Sequence, residues 1–533
     1  MNHNKLMSYV LPLLLASGAA QAEERVLHPN WRPRTIDLRH DNITPLMAYR
    51  AELSGTLTHN PIPTPFANLA PSVFGFTSSK DTLTWTVHTG QADDYAIALI
   101  CQGENPILSK CRFEVACGTQ KRQQRTRIAP WSKDLRVWPR FQRHWLDHSI
   151  SLKRGENKIS FRLTEMPAAQ KKTANLALER GLVTMQNETF MLYSIELVRP
   201  DALKAIRHRA RELRADAGWM IERKYGLFVH WSPQCYPLHG ETRTMDRYQQ
   251  AVDEFDVEAF ADVVEKTGAG WVCFTTSHGP HYWPAPSQVI DRILPGRTCR
   301  RDLIAELADA LGKRNVRLLL YYNWGLKFSE DRGRGWSERD WPRASGILEA
   351  DPKRWEDNME AFFKEVSLRY GDRIGGFGFI DASHVTYQYA PPWERFVRAI
   401  KAGNPNNLVG FSPGRLPSVT PFNELEANDH GFRLLPPSPK YLFGEEGQLG
   451  DVTAGRWMKM DEWIPRLPYN GRIGPGPRHQ TSEYIAHFQR MAEANVPITI
   501  NLLITQDVTR DQPFFNPKCL AVMEQIRKTI HEE

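Results

Sequence analysis

Long hydrophobic runs and cysteine are both scarce in this sequence. One apolar stretch, from Tyr9 to Ala20, stands out, and it is too short to cross a bilayer comfortably, so we expect no membrane span. The 7 cysteines include no CxxC pair and no Cys/His zinc spacing, and no HExxH sequence occurs, so we expect neither a metal site nor a cofactor. Cys101, Cys111 and Cys117 can supply one disulfide in an oxidising compartment.

A strong excess of one charge sign is also missing. Lysine and arginine together number 68 and acidic residues 61, which gives a net charge of +7 that is spread along the chain. Without a nucleic-acid-binding motif, so small an excess predicts a solvated surface and no nucleic-acid partner. The hydrophobic fraction of 41% and the charged fraction of 24% are typical of globular proteins, and a length of 533 residues predicts two domains.

The N-terminus has the features of an export signal. Lys5 supplies a positive charge, the apolar stretch follows it, and Ala20-Gln21-Ala22 is a small-x-small cleavage site. The sequence therefore predicts a signal peptide over residues 1–22 and export to the periplasm or the extracellular medium.

Residues 23–200 are predicted to form an N-terminal, all-β sandwich. Apolar residues alternate with polar ones at Leu83, Trp85 and Val87, and again at Ile159 and Phe161. This period of two, interrupted by turn residues, is typical of antiparallel strands. The charged stretch over residues 201–222 is predicted to be a helical linker.

From residue 223 to residue 533 the pattern changes to strands that alternate with helices. The strand-like runs are KYGLFVHW, WVCFTT, RLLLYYN, GGFGFID, LVGFSP and ITINLL. One intervening helix begins after Asp302, a residue suited to cap it, and the Pro- and Gly-rich region from Gly414 to Arg478 is predicted to be irregular. Alternation over about 300 residues predicts a (β/α)8 TIM-like barrel. A doubly wound open sheet is the alternative, which the absence of GxGxxG after a strand disfavours.

Polar and aromatic residues recur where the predicted barrel strands end. In a barrel of this kind the active site lies at the carboxyl ends of the strands. Because several such residues occupy equivalent positions, we expect them to bind a substrate together rather than to be isolated structural residues. They are His230, Trp231, His278, His281, Tyr322, Trp324 and Arg415.

Asp381 is the strongest candidate for a catalytic residue, because this carboxylate abruptly ends the apolar run at 377–380. Such a group can cap the following loop, or it can act as a nucleophile on a sugar carbon. A retaining glycosidase also needs a second carboxyl group about 5–5.5 Å away. The candidates on the following loops are Glu424 and Glu426, then Glu445, Glu446 and Glu462.

Five ordered blocks of the sequence resemble the α-L-fucosidase family of glycoside hydrolases. KYGLFVHW resembles the opening barrel strand of that family, and EFDVEAFADVVEKTGAGWVCFTTSHG resembles the helix and strand that follow. RDLIAELADALGKRNVRLLLYYN, GGFGFID and PITINLL resemble later blocks, so the resemblance covers residues 224–530. It implies a TIM-like barrel that hydrolyses a glycoside without a cofactor. The N-terminal domain is similar to jelly-roll carbohydrate-binding modules.

The resemblance also implies roles for individual residues. Asp381 matches the nucleophile of the family, and His230 and His278 match histidines that contact the sugar. Arg415 stands where a sugar-site arginine often follows the nucleophile strand.

The position of the acid/base residue varies within the family. Glu424 suits that position, and Glu426 suits it almost as well. The chain departs from the family pattern at Ser232, where the family has Gly, and at Gly279, which replaces the second histidine of a pair. His281 can substitute for that histidine in part. These departures affect groups that read sugar hydroxyls, so they leave the identity of the sugar open.

The sequence thus predicts a secreted, retaining, exo-acting α-L-fucosidase-like enzyme whose partner is an oligo- or polysaccharide substrate. Two alternatives stay open. A glycosidase or polysaccharide lyase acting on an acidic or sulfated sugar would fit the altered sugar-reading groups and the basic balance of charge. A non-hydrolytic carbohydrate-binding protein would fit a decayed site, although retention of Asp381 argues against it.

Overall fold

A computed structural model gives the fold of this protein. It describes residues 33–59, 72–102, 111–125, 141–180, 189–231, 244–278, 281–324, 340–347, 349, 351–381, 390–412, 416–418, 420–425, 456–459, 476–506 and 514–532. The predicted signal peptide lies outside these residues. No helix within them is both long enough and apolar enough to cross a membrane.

Two β-sheets build the N-terminal part of the chain. The strands are β1 (Ile36–Asp37), β2 (Thr44–Met47), β3 (Glu52–Ser54), β4 (Thr58–His59), β5 (Val73–Phe74), β6 (Thr82–Thr89), β7 (Asp93–Gln102), β8 (Arg112–Cys117), β9 (Gln120–Arg125), β10 (Phe141–Trp145), β11 (Ile150–Leu152), β12 (Gly155–Glu165) and β13 (Leu192–Val198). The first sheet has the order β1-β6-β12-β8-β9, with β3 also paired to β6. The second has the order β10-β7-β13-β5-β4, with β11 also on β7 and β2 also on β13.

Apolar side chains from both sheets meet in one core, as the alternation in the sequence predicts. Leu83 and Trp85 of β6 pack there with Phe161 of β12, and Leu99 of β7 joins them from the second sheet. The buried Trp85 indole N–H donates to the carbonyl oxygen of Met47 across 2.8 Å, so its one polar group is satisfied. The two sheets therefore face each other across a single apolar layer.

The outer face of the second sheet is covered by the C-terminal half of the chain. Tyr193 of β13 packs in one apolar cluster with Leu416. Arg143 of β10 forms a buried bidentate ion pair with Glu196 of β13, at 2.7 and 3.0 Å, and its remaining nitrogen donates to the carbonyl oxygen of Ser418 at 2.7 Å. One arginine thus satisfies its charge within the sheet and ties that sheet to the C-terminal half.

The helices begin with one between β12 and β13 of the sandwich, and the rest follow the sandwich and alternate with the later strands. They are α1 (Ala168–Arg180), α2 (Pro200–Glu212), α3 (Gly218–Arg223), α4 (Met245–Asp253), α5 (Val257–Lys266), α6 (Gln288–Ile293), α7 (Leu303–Lys313), α8 (Asp340–Ser345), α9 (Lys353–Tyr370), α10 (Trp393–Ile400), α11 (Thr481–Glu493) and α12 (Pro517–His531). The predicted cap is confirmed, because Asp302 Oδ1 accepts from the Ala305 N–H at the start of α7 across 3.0 Å. The predicted helical linker is two helices, α2 and α3.

A seven-stranded parallel sheet forms the second half of the described chain. Its strands are β14 (Tyr225–Val229), β15 (Trp271–Ser277), β16 (Arg317–Asn323), β17 (Gly376–Asp381), β18 (Leu408–Ser412), β19 (Arg456–Lys459) and β20 (Ile498–Leu502). The order is β18-β17-β16-β15-β14-β20-β19, and every neighbouring pair is parallel. The six predicted strands are present. The seventh, β19, lies in the region predicted to be irregular, where four residues leave too short a run to show a period.

The two faces of this sheet carry different residues. Alternate residues such as Leu227, Val272 and Leu320 pack beneath the helices, and we call their side the helix-covered face. The other side, the inner face, carries a smaller cluster: Phe228, Trp271, Cys273, Leu319, Tyr321 and Phe379. Gly226 lies on the inner face directly against the Trp271 ring, where an added Cβ would lie 2.4 Å from ring atoms. Glycine is therefore required there to let the indole close over β14.

Candidate active site

Parallel strands bring polar side chains together at the carboxyl edge of the sheet. Asn323 ends β16 and Asp381 ends β17, and these two residues are paired in register. His230 is the first residue after β14, and His278 is the first residue after β15. Because the strands all run in one direction, their carboxyl ends lie along the same edge, which is where α/β proteins place their active sites.

Asp381 is supported by side chains of the neighbouring strand β16. Asn323 Nδ2 donates to Asp381 Oδ2 across 3.1 Å and lies 3.2 Å from the Tyr321 hydroxyl. That hydroxyl is 3.5 Å from the same carboxylate oxygen, and the Trp324 backbone N–H donates to the Asp381 carbonyl oxygen at 3.2 Å. Asn323 and Tyr321 are buried, whereas Asp381 is partly exposed. A rigid support therefore holds a carboxylate that solvent can reach.

Two histidines lie beside this support. The rings of His230 and His278 have their centroids 4.7 Å apart and stand nearly perpendicular, at 77°. The Tyr321 ring is 5.6 Å from His230 and 6.0 Å from His278, so Tyr321 connects the histidine pair to Asp381. Imidazole nitrogens, a phenol and a carboxamide around a carboxylate supply both donors and acceptors, as recognition of sugar hydroxyls requires.

Aromatic rings form the base of this group. Phe228 and Phe379 stack with centroids 5.8 Å apart, and the Tyr321 ring lies 5.5 Å from the first and 5.1 Å from the second. All three belong to the inner face of the sheet. The polar groups thus stand on an apolar base that keeps water away from one side, which strengthens electrostatic interactions above it.

The substrate-binding residues predicted from the sequence do not include Tyr321 or Asn323. Strand alternation in RLLLYYN carries the signal that identifies them, because residues two apart share a face. The apolar members on the helix-covered face are Leu318, Leu320 and Tyr322. Counting from them places Leu319, Tyr321 and Asn323 on the inner face, with the last two nearest the carboxyl end.

The structure does not bring Trp231, Tyr322 and Trp324 to this cluster, because all three lie on the helix-covered side, and their contact with substrate stays a prediction. The Trp231 indole N–H donates to Gln506 Oε1 across 2.8 Å. Tyr322 is fully buried, with its ring 4.7 Å from that of Phe362 in α9, and Trp324 is 1% exposed in the same core. Successive residues point to opposite faces of a strand, so a residue next to a site residue is turned away from the site.

His281 is also separated from the two clustered histidines. It is 3% exposed and its ring stacks on Trp341, with centroids 5.1 Å apart and 10° between the planes. Its ring also lies 6.5 Å from that of Tyr322, a residue of the helix-covered face. The structure therefore does not bring His281 to His230 and His278, and its contact with substrate stays a prediction.

Glu424 forms a buried ion pair. Its carboxylate lies 2.9 Å from Lys401 Nζ and accepts the backbone N–H groups of Ala215 at 2.6 Å and Val409 at 2.8 Å. Burial raises the pKa of Glu424 and lowers the pKa of Lys401, while the opposite charge of each partner acts against the shift. Every oxygen of this carboxylate is engaged in holding the chain together.

The position of Glu424 along the sheet also separates it from Asp381. Its carboxylate bonds to Val409, whereas Asp381 is in register with Ser412, three residues further along β18. At about 3.3 Å per residue, the backbone of Val409 lies roughly 10 Å from that of Ser412 along the strand. A retaining pair requires about 5–5.5 Å. The structure therefore does not place Glu424 beside Asp381 but engages it in holding the fold, and its role as the acid/base stays a prediction.

Arg415 and Glu426 lie outside the described residues, as do Glu445, Glu446 and Glu462. Their roles at the site stay predictions.

Comparison with known proteins identifies the segment that carries this site. Residues 202–388 match the family model for alpha-L-fucosidase. The chain carries a divergent alpha-L-fucosidase domain. This match confirms the family that the sequence predicts for this segment.

Relatives of the alpha-L-fucosidase domain include mammalian and bacterial proteins. Tissue alpha-L-fucosidases of Bos taurus and Homo sapiens are each 28% identical over 137 residues, which cover 20% of this chain and 28% of the relative. An alpha-L-fucosidase from Bacteroides thetaiotaomicron aligns with a TM-score of 0.38 and 14% identity over 59% of this chain and 73% of that one. An alpha-L-fucosidase from Lactobacillus casei aligns with a TM-score of 0.39 and 14% identity over 59% of this chain and 98% of that one.

The chain thus spans less than a third of the length of the curated relatives it matches. The described site lies wholly inside the alpha-L-fucosidase domain, because His230, His278, Tyr321, Asn323 and Asp381 all fall between residues 202 and 388. The buried ion pair of Lys401 and Glu424 lies beyond it.

Proposed function

We propose that this protein is an exo-acting glycoside hydrolase that removes terminal α-L-fucose from oligo- or polysaccharides. The observation that carries the proposal is the partly exposed carboxylate of Asp381, held by Asn323 and Tyr321 beside the His230–His278 pair. The alpha-L-fucosidase domain around these residues supports the choice of sugar.

The proposed reaction retains the configuration at the sugar carbon. The Asp381 carboxylate attacks the anomeric carbon as the bond to the leaving oxygen breaks and that oxygen takes a proton from a second carboxyl group. Water then attacks the glycosyl-enzyme ester, giving its proton to the second group and releasing the sugar with the Asp381 carboxylate restored. Asn323 fixes the orientation of the nucleophile, and His230, His278 and Tyr321 bind sugar hydroxyls.

Other parts of the proposal concern residues that the structure does not describe. Glu426 is the proposed acid/base, since Glu424 is engaged in its ion pair, and Arg415 is proposed to bind the sugar. We also propose that the parallel sheet belongs to a closed (β/α)8 barrel. The return of β20 and β19 beside the first strand, β14, supports closure. Export after removal of residues 1–22 completes the proposal.

Turnover of 4-nitrophenyl α-L-fucoside by the wild type and by Asp381→Asn tests the proposed function. We expect the wild type to release nitrophenol and the variant to lose about 10³-fold or more of that activity, because the amide is not nucleophilic. Asp372→Asn is the matched control, since it removes an exposed carboxylate in the turn before the same strand. Equal activity in the wild type and Asp381→Asn would remove Asp381 from the mechanism.

The retaining mechanism has a separate test in Asp381→Gly supplied with sodium azide. Azide can occupy the space left by the carboxylate and attack the anomeric carbon itself. We expect the variant to regain turnover and to form fucosyl azide of inverted configuration. If azide restores nothing while the wild type gives a product of inverted configuration, the enzyme is inverting. Activity of the wild type on another aryl glycoside alone would discard fucose and keep the nucleophile.

A further inference from the structure

A cavity of about 380 Å³ lies between the N-terminal sandwich and the C-terminal half of the chain. Its sandwich wall comes from the outer face of the second sheet, including Met47, Ile100 and Ser194, which are neighbours on β2, β7 and β13. Its other wall includes Trp393 at the start of α10 and Phe422. The volume falls within the range of about 300–1,000 Å³ that is typical of small-molecule sites.

The hydroxyl of Ser194 is left without a partner in the wall of this cavity. Ser194 is fully buried, and within the described part of the chain its Oγ has no hydrogen-bond partner. A buried hydroxyl without a partner costs about 1–3 kcal/mol, so native proteins satisfy nearly all of them. A ligand that carries hydroxyl groups would satisfy Ser194, whereas a purely apolar ligand would not.

The charged side chains around the cavity are paired with one another. Arg209 and Arg398 both donate to Glu394, at 2.9 and 2.8 Å, and Arg395 donates to Glu360 at 2.5 Å. Glu196 is held by Arg143 through the bidentate pair described above. The lining itself carries three arginines, Arg209, Arg395 and Arg398, and three glutamates, Glu196, Glu360 and Glu394. Because these charges balance, the cavity favours a neutral ligand over an acidic or a basic one.

Aromatic side chains supply the remaining surface. Trp393, Tyr193 and Phe422 all line the cavity, together with aliphatic residues of both walls. The ring of a neutral sugar has apolar C–H faces, which pack on such surfaces, and hydroxyls at its rim, which bond to hydroxyl, carboxylate and guanidinium groups. We propose that this cavity is a second carbohydrate site that binds a neutral pyranose ring between the two halves of the chain.

The site lies one aromatic layer behind the candidate nucleophile. The Trp393 ring stacks on Trp324, with centroids 6.0 Å apart and 19° between the planes, and the backbone N–H of Trp324 donates to the backbone carbonyl oxygen of Asp381. A sugar in the cavity is therefore close to the proposed active site. The inference deepens the proposed glycosidase function and rests on it for the choice of carbohydrate as the ligand class.

Calorimetric titration of 2′-fucosyllactose, whose three rings are neutral pyranoses, tests the second site. The protein is the full chain carrying Asp381→Asn, which prevents hydrolysis. We expect two binding events. Ser194→Ala should weaken one of them about three- to tenfold, which is the worth of a neutral hydrogen bond, and Ser194→Leu should abolish it by filling the cavity.

Ser160→Ala and Ser160→Leu are the matched controls, because Ser160 lies on β12 of the other sheet, outside the cavity. Thermal melting confirms that each variant is folded, and the Ser194→Ala variant keeps the test valid if Ser194→Leu does not fold. A single event that neither Ser194 variant alters would overturn the second site, even if the wild type hydrolyses the aryl fucoside. If binding depends on Ser194 but the wild type hydrolyses no aryl fucoside, the second site is supported and the proposed hydrolase function is discarded.

Discussion

Asn323 and Asp381 end neighbouring parallel strands in register, and the Asn323 amide donates to the Asp381 carboxylate across 3.1 Å. This hydrogen bond joins a buried side chain to a partly exposed one. It makes β16 the element that sets the direction of the carboxylate, although the carboxylate itself belongs to β17.

Replacing Asn323 should impair catalysis more than folding. Asn323→Ala removes a hydrogen bond to a charged group, worth about 1.5–3 kcal/mol, and lets the carboxylate rotate, so we expect kcat to fall roughly 10- to 100-fold. Steady-state kinetics on the aryl fucoside measure the loss. The exposed Asn406→Ala change is the control. A variant that loses stability but keeps its kcat would show that Asn323 only supports the fold.

The adjacent residues His230 and Trp231 should respond in opposite ways to substitution. His230→Asn should lower kcat/KM for the fucoside roughly 10- to 100-fold with little change in Tm, since the ring belongs to the site. Trp231→Phe should leave kcat/KM nearly unchanged but destabilise the protein by about 1–3 kcal/mol, because Gln506 loses its buried donor. Kinetics and thermal melting of both variants decide this. If Trp231→Phe lowered kcat/KM and His230→Asn lowered only the stability, Trp231 rather than His230 would belong to the site.

The buried pair of Lys401 and Glu424 should control stability in a manner that depends on pH. Lys401→Met leaves a buried carboxylate without its partner, and Glu424→Gln leaves a buried ammonium group without its partner. Each substitution should therefore lower the free energy of unfolding by about 3–5 kcal/mol at pH 7. Urea unfolding measures both. Lys353→Met, which breaks the exposed pair with Asp357, is the control and should cost less than about 1 kcal/mol.

The sign of the pH dependence differs between the two variants. Burial raises the folded-state pKa of Glu424 above its ordinary 4.5. At low pH the carboxyl group is protonated and neutral, which suits its buried site, and this stabilisation is lost as the pH rises through the folded-state pKa. The loss of unfolding free energy caused by Lys401→Met should therefore become smaller as the pH falls towards 4.5. Burial lowers the pKa of Lys401 below 10.5, so the deficit of Glu424→Gln should shrink towards alkaline pH. Equal deficits at every pH would exclude a charge effect.

Sequence alone is enough to find six of the seven strands of the parallel sheet, the cap at Asp302 and the carboxylate at the end of β17. These features are local, because strand runs, caps and strand ends depend on residues next to one another. The assignment of faces required more care. Trp231, Tyr322 and Trp324 were grouped with His230 and Asp381 by nearness to a strand end, whereas the period of two places them on the opposite side.

Glu424 could not be placed from the sequence, because its level along β18 depends on a long-range hydrogen bond to Val409. Nothing in the spacing from Asp381 shows whether a loop residue returns to the carboxyl edge or to the middle of a strand. The cavity beside Ser194 is likewise a product of packing between two parts of the chain. Such features follow from tertiary contacts, which residue pattern does not encode locally.

The pairing of β14 with β20 has a consequence for how this protein is made. Tyr225 is in register with Ile498, which lies more than half the chain length further on. During synthesis β14 is made long before its partner β20, so the edge of β14 that pairs with β20 stays unpaired until β20 emerges. Contacts between such distant residues slow folding and prolong exposure of apolar strands. The parallel sheet can therefore be completed only after residues 498–502 have emerged, and a chain truncated before β20 would leave β14 as an open edge prone to aggregation.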